Sequence, residues 1–113
     1  AHYDVVGALR AACRARGMRH HLGLAHSKDS FYGEVEPERM PLSRELGERW
    51  QAWVRGGALC SEMESSALFV IASLLGLRAG GLMVALARHQ SLDELCATAV
   101  EGLRQLIALD SAA

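Results

Sequence analysis

The short apolar stretch Ala58-Leu59-Cys60 runs directly into Ser61-Glu62-Met63-Glu64-Ser65-Ser66, and a mainly apolar run from Ala67 to Leu77 follows at once. A strand that ends in an acidic turn and passes straight into an apolar helix constrains this chain more than any other feature, because such junctions belong to folds that layer helices on a sheet. At a strand end the period of two puts Glu62 and Glu64 on one side and Met63 on the other. Carboxylates at a sheet end beside a helix start lie where α/β folds bind ligands.

The rest of the chain alternates in the same way. Asp4 is positioned to cap a helix with the apolar stripe Val5, Leu9 and Cys13, and Gly17 closes it. His20 to His26 alternates as a strand would. Residues 28–42, with Gly33, Pro37, Pro41 and several charges, read as a loop. Ser43 opens a helix with Leu46, Trp50, Trp53 and Val54 on one stripe, which Gly56-Gly57 ends. Ala58 to Ser61 is a short strand. The helix from about Met63 to Leu75 is apolar on nearly every side and is expected to be buried. Gly81 to Ala87 reads as a central strand covered on both faces. Ser91 and Glu94 form a capping box for a last helix carrying Leu92, Leu95, Cys96, Ala99, Val100, Leu103, Leu106 and Ile107. The expectation is an α/β protein, residues 1–113 forming one domain. Such short strands make a poor independent sheet, so the domain looks like part of a larger α/β unit.

Bulk properties exclude several classes of partner. The formal net charge of the 113 residues is −1 and no long basic run occurs, so neither nucleic acid nor an anionic membrane is expected as a partner. The longest apolar run is too short to span a bilayer. Ala1-His2-Tyr3-Asp4 lacks the basic and apolar regions of a signal peptide. Cys13, Cys60 and Cys96 stand far apart without metal-ligand spacing, and read as reduced thiols of a cytoplasmic protein with no metal site.

Two places could carry chemistry. In Ser27-Lys28-Asp29-Ser30-Phe31-Tyr32-Gly33-Glu34, two aromatics amid polar residues offer a flat surface for a planar ligand, or simply pack on a neighbouring helix. Glu62 and Glu64 suit the dipole of the following helix, and a carboxylate can also accept two hydroxyl hydrogen bonds at once from a sugar diol. Arg39 alone would be a surface ion-pair partner. His20, His21 and His26 lie along one strand without a further ligand, which favours structural roles over a metal.

Taken together, Lys28-Asp29-Ser30-Phe31-Tyr32-Gly33, Pro37-Glu38-Arg39-Met40-Pro41 and Ser61-Glu62-Met63-Glu64-Ser65 resemble the uridine branch of the trimeric and hexameric nucleoside phosphorylase family. The resemblance runs through essentially the whole chain, but matches only the C-terminal portion of that family's usual length. It implies a three-layer α/β/α fold with a mixed central sheet. It also implies a pentosyltransferase of pyrimidine nucleoside salvage, which cleaves uridine to uracil and ribose 1-phosphate with inorganic phosphate as co-substrate and no cofactor. The implied assembly is a homo-oligomer, a hexamer in complete relatives. By position, Phe31 would stack on the pyrimidine. Arg39 would stabilise negative charge growing on the leaving base, acting as the catalytic residue. Glu64 would hold the ribose hydroxyls and Met63 would line the sugar. Glu62, counted with the substrate-binding residues, sits where some relatives place a carboxylate near a monovalent cation.

Glu34 falls where relatives carry a glutamine that pairs with the uracil edge, so it joins the substrate-binding set with acceptor capacity only. The aspartate that the purine branch uses near Arg88-His89 is missing, which argues against a purine enzyme. The family's phosphate-binding glycines and arginines have no counterpart here, and the chain by itself is expected not to catalyse phosphorolysis. The alternatives are a phosphorylase or nucleosidase of different base preference, or a non-catalytic nucleoside-binding remnant.

Overall fold

A computed structural model describes residues 1–85 and 92–112 of the chain. The end of the expected strand at Leu86-Ala87, the Arg88-His89 pair and Ser91 of the expected capping box lie outside the described residues. The chain divides into two compact units, one formed by Ala1–Leu22 with Ala67–Ala113, the other by Gly23–Ser66.

The unit of residues 23–66 is a parallel βαβ crossover. Strand β1 (Leu24–Ser27) leads into a short helix α2 (Phe31–Val35), a 3-10 turn at Pro37–Arg39, helix α3 (Ser43–Arg55) and strand β2 (Ala58–Glu62). The strands pair parallel, with Ala25 opposite Cys60, His26 opposite Ser61 and Ser27 opposite Glu62, and the register shifts between Leu24 and Ala25. Lys28 N–H donates to Glu62 C=O at 2.8 Å, extending the ladder one step past β1. Both strands therefore end at the same edge, and the acidic turn and the aromatic loop leave from it together.

Several local expectations need correction here. The stretch His20 to His26 supplies strand only from Leu24. The expected loop 28–42 contains α2, because Ser30 Oγ accepts from Gly33 N–H at 3.0 Å and caps that helix. Helix α3 and β2 fall where expected: Gly56 caps the helix and Gly57, at φ +91°, turns the chain into the strand.

The other unit is helical in its described residues. Helix α1 (Tyr3–Ala15) is capped by His2, whose Nδ1 accepts from the Asp4 N–H at 3.3 Å, so Asp4 lies inside the first turn. Gly17, at φ +65°, closes it as the spacing predicts. Helix α5 (Leu92–Ser111) meets α1 through its small residues: Thr98 and Gly102 are buried against a face that buries Ala8, Ala12 and Cys13. Arg16 Nε donates to Thr98 Oγ1 at 3.1 Å, and Arg16 pairs with Glu94 at 2.7 Å. Of the apolar residues on α5, Leu92, Val100, Leu103 and Ile107 are exposed while Leu95, Ala99 and Leu106 are half-buried. Helix α4 (Ser65–Leu74) departs from its expected burial. Leu68, Val70, Ile71 and Leu74 are exposed and only Ala72 of its apolar residues is buried. A helix apolar all round needs neighbours on every side, and among the described residues α4 has them on one. Residues 81–85, read as the start of a covered central strand, form no strand and pair with none of the described strands.

A Cβ on Gly102 would come 2.7 Å from Leu9 Cδ2, so a side chain there requires the Leu9 side chain to shift. Gly102→Val is expected to lower the stability of this helix pair by about 1–3 kcal/mol through overpacking. Urea unfolding followed by circular dichroism reads the change.

Candidate functional site

The site grows from the shared edge of β1 and β2. A parallel pair ends both strands on one side, and the chain there supplies Lys28 and α2 from one strand, Met63 and Glu64 from the other. Strand β2 stops at Glu62. The two-residue alternation therefore does not carry through Glu64, and Glu62 and Glu64 diverge in role.

Glu62 is consumed by the fold. Its Oε2 accepts the N–H of Glu64 at 2.8 Å and of Ser65 at 2.6 Å, while Oε1 accepts the hydroxyl of Ser27. Ser27 Oγ in turn accepts the Ser66 N–H at 3.1 Å. Burial alone would raise the Glu62 carboxyl, but the hydrogen bonds from Ser27, Ser65 and Glu64 outweigh it and lower the carboxyl from 4.5 to about 2. Glu64 is exposed and receives one internal hydrogen bond, from the Met63 N–H at 3.1 Å, which leaves carboxylate lone pairs for hydroxyl donors. Met63 is exposed beside it.

Glu34 sits on α2 in a different environment. Its Oε1 accepts from Lys28 Nζ at 3.0 Å and from Ser61 Oγ at 2.6 Å, and Lys28 Nζ also donates to Ser61 Oγ at 3.1 Å. The side chains of Lys28 and Glu34 are only 11% and 12% exposed, so the pair is largely desolvated. Removing one member of such a pair costs about 3–5 kcal/mol. Each residue therefore depends on the other to stay in place.

The aromatic residues are arranged around these charges. Lys28 Nζ lies 5.2 Å from the Phe31 ring centroid, Phe31 meets Tyr32 edge-on at 5.4 Å, and the Arg39 guanidinium lies 5.7 Å from the Tyr32 ring. Phe31 is half exposed, which leaves a ring face open to a planar partner. Arg39 pairs with Glu36 at the surface, an interaction worth about 0–1 kcal/mol, so turning toward a ligand costs it little. On the other side of Lys28, His26 stacks on Trp53 at 5.3 Å and tilts against Trp50 at 6.0 Å.

All six residues singled out in the sequence lie in this one unit. Phe31 and Arg39 flank Tyr32; Glu34 joins β2 through Ser61; Met63 and Glu64 lie exposed just past the end of β2. Glu62 stands apart as the clasp that holds the strand ends and the start of α4. Sequence reasoning passed over Lys28, Ser61 and His26 as site residues. His26 and Lys28 are two apart at a strand end and share a side, which is the signal that was available. No group of His, Cys, Asp and Glu suited to a metal ion occurs among the described residues. No described helix is long and apolar enough to cross a membrane.

The parallel strand edge, with paired charges, aromatic faces and an exposed carboxylate, defines an α/β protein with a candidate site at its strand ends. The chain belongs to the phosphorylase superfamily, whose family model matches residues 1–110. It is 36% identical to the uridine phosphorylase of Treponema pallidum over 96% of its own length and 47% of that protein's. Over 65% of its length it is 37% identical to the DeoD-type purine nucleoside phosphorylase of Roseobacter denitrificans, covering 26% of that protein. The chain thus spans about half the length of the first relative and about a quarter of the second.

The lowered Glu62 carboxyl has a definite sign. Its contribution to stability is fully present above about pH 4.5 and is lost as the pH falls toward about 2. Glu62→Gln removes that contribution, so the stability gap between the parent chain and the variant should close across this window. Thermal unfolding midpoints measured from pH 6 downward check it.

Proposed function

We propose that the chain carries the base- and ribose-binding portion of a pyrimidine nucleoside phosphorylase, which cleaves uridine to uracil and ribose 1-phosphate with inorganic phosphate as co-substrate. The observation that carries this reading is the identity to a uridine phosphorylase through nearly the whole chain, with all six candidate residues gathered in one βαβ unit. In this reading phosphate attacks the anomeric carbon while the base departs and takes up negative charge. Arg39, freed from Glu36, meets that charge. Phe31 stacks on the pyrimidine, Glu64 accepts from the ribose hydroxyls, and Met63 lines the sugar. Most of the catalytic effect then comes from positioning and charge stabilisation rather than a covalent intermediate. Glu62 acts in this scheme by shaping the strand end, with no direct contact to substrate.

The same reading makes the protein a cytoplasmic homo-oligomer of pyrimidine salvage. The exposed apolar residues of α4 and α5 support assembly, since patches of this kind mark surfaces that meet another surface.

Uridine titrated calorimetrically into the chain should bind more tightly than inosine, and any uracil release from uridine should require phosphate. Preference for inosine, or uracil release independent of phosphate, would contradict the proposal. Phe31→Ala should weaken uridine binding about tenfold to a hundredfold, the loss of about 1–3 kcal/mol of base stacking.

A further inference from the structure

The amides that open α4 are capped from two strands at once. The helix begins at Ser65, and the first amides of a helix have no partner within it. The Ser65 N–H, and the Glu64 N–H just before it, go to Glu62 Oε2 at the end of β2, at 2.6 and 2.8 Å. The Ser66 N–H goes instead to Ser27 Oγ at the end of β1, at 3.1 Å. The same hydroxyl donates its proton to Glu62 Oε1. Ser27 therefore accepts from the helix and donates to the carboxylate that caps the amides before it.

This relay leads to Glu64. The Glu64 backbone is anchored through its N–H on Glu62 Oε2, and its exposed carboxylate accepts from the adjacent Met63 N–H at 3.1 Å. Both contacts belong to the turn, so the turn sets where the carboxylate lies, and Glu62 sets the turn. Alanine at position 27 would remove a donor and an acceptor together, releasing one oxygen of Glu62 and uncapping the Ser66 N–H. The other side of the site has supports of its own. Lys28, Glu34 and Ser61 bond one another, and the Lys28 N–H to Glu62 C=O contact is made by backbone. Loss of the Ser27 hydroxyl leaves these contacts in place.

We propose that Ser27 is a positioning residue for sugar selection: its hydroxyl fixes Glu62, and Glu62 fixes the turn that aims Glu64 at the ribose hydroxyls. Ser27 acts through Glu62 rather than by contact with the nucleoside. A hydrogen bond weakens steeply as its angle opens, so a displaced Glu64 carboxylate loses its grip on a hydroxyl. Stacking on an aromatic face depends less on exact placement, so the base stays bound. The hydroxyl of Ser27 on this account governs the preference for ribose over 2′-deoxyribose. The inference rests on the nucleoside-binding reading above and deepens it.

Calorimetric titration with uridine, 2′-deoxyuridine and uracil, applied to the full 113-residue chain and to Ser27→Ala and Ser27→Thr, tests the inference. The parent chain should bind uridine roughly tenfold to a hundredfold more tightly than 2′-deoxyuridine, the worth of a hydroxyl hydrogen bond to a carboxylate. Ser27→Ala should bring the two nucleosides to nearly equal affinity while uracil binds as it does to the parent. Ser27→Thr keeps the hydroxyl and should restore the preference. A parent-like preference in Ser27→Ala, or no preference in the parent chain, would overturn the inference and leave uridine binding standing. Loss of uracil together with both nucleosides in Ser27→Ala would make the residue merely structural and would also overturn it. Failure of the parent chain to bind any of the three compounds would overturn both readings.

Discussion

One carboxylate ties the candidate site together. Glu62 gathers the hydroxyl of Ser27 and the amides of Glu64 and Ser65, so the end of β1, the end of β2 and the first turn of α4 converge on its two oxygens. A parallel strand pair has no hairpin to fix its register, and this one already slips between Leu24 and Ala25. The Glu62 contacts fix the strand ends where the site is built. Without them Met63 and Glu64 would not leave the sheet beside Lys28, and the turn that exposes Glu64 would lose the amide contacts that shape it.

A second constraint is electrostatic. A buried carboxylate is costly unless it is paired and hydrogen-bonded, and Glu34 has both from Lys28 and Ser61. Ser61 lies on β2, Lys28 follows β1, and Glu34 lies on α2, so this carboxylate locks the crossover, with its other oxygen 3.7 Å from His26 Nδ1. Arg39 shows the opposite arrangement. It is held loosely at the surface by Glu36 and the Tyr32 ring.

Much of this was legible in the amino-acid sequence, for identifiable reasons. Helix α3 and strand β2 are bounded by Gly56-Gly57 and carry clear period signals, and both lie where those signals put them. The motifs around Phe31, Arg39 and Glu64 all fall in one unit of the fold. Helix α2 was hidden because Gly33 and Pro37 suggest a loop, although Ser30 is a competent cap. On α5 apolar periodicity identifies a face that can be buried without saying what will bury it; α1 packs on the small residues Thr98 and Gly102. The same limit explains α4, whose composition demands neighbours that the described residues do not provide. The Lys28–Glu34–Ser61 cluster spans two strands and a helix, and no local spacing rule brings a lysine, a glutamate and a serine from such places together.

The central claim, that the strand-end unit of residues 23–66 binds a pyrimidine nucleoside, is tested most directly by amide chemical shifts recorded as uridine is added to the isotopically labelled chain. The account predicts saturable shifts centred on Lys28, Phe31, Glu34, Ser61 and Glu64, with α1 and the second half of α5 unchanged. Shifts concentrated on the α1–α5 pair, or none at all at saturating uridine, would contradict it.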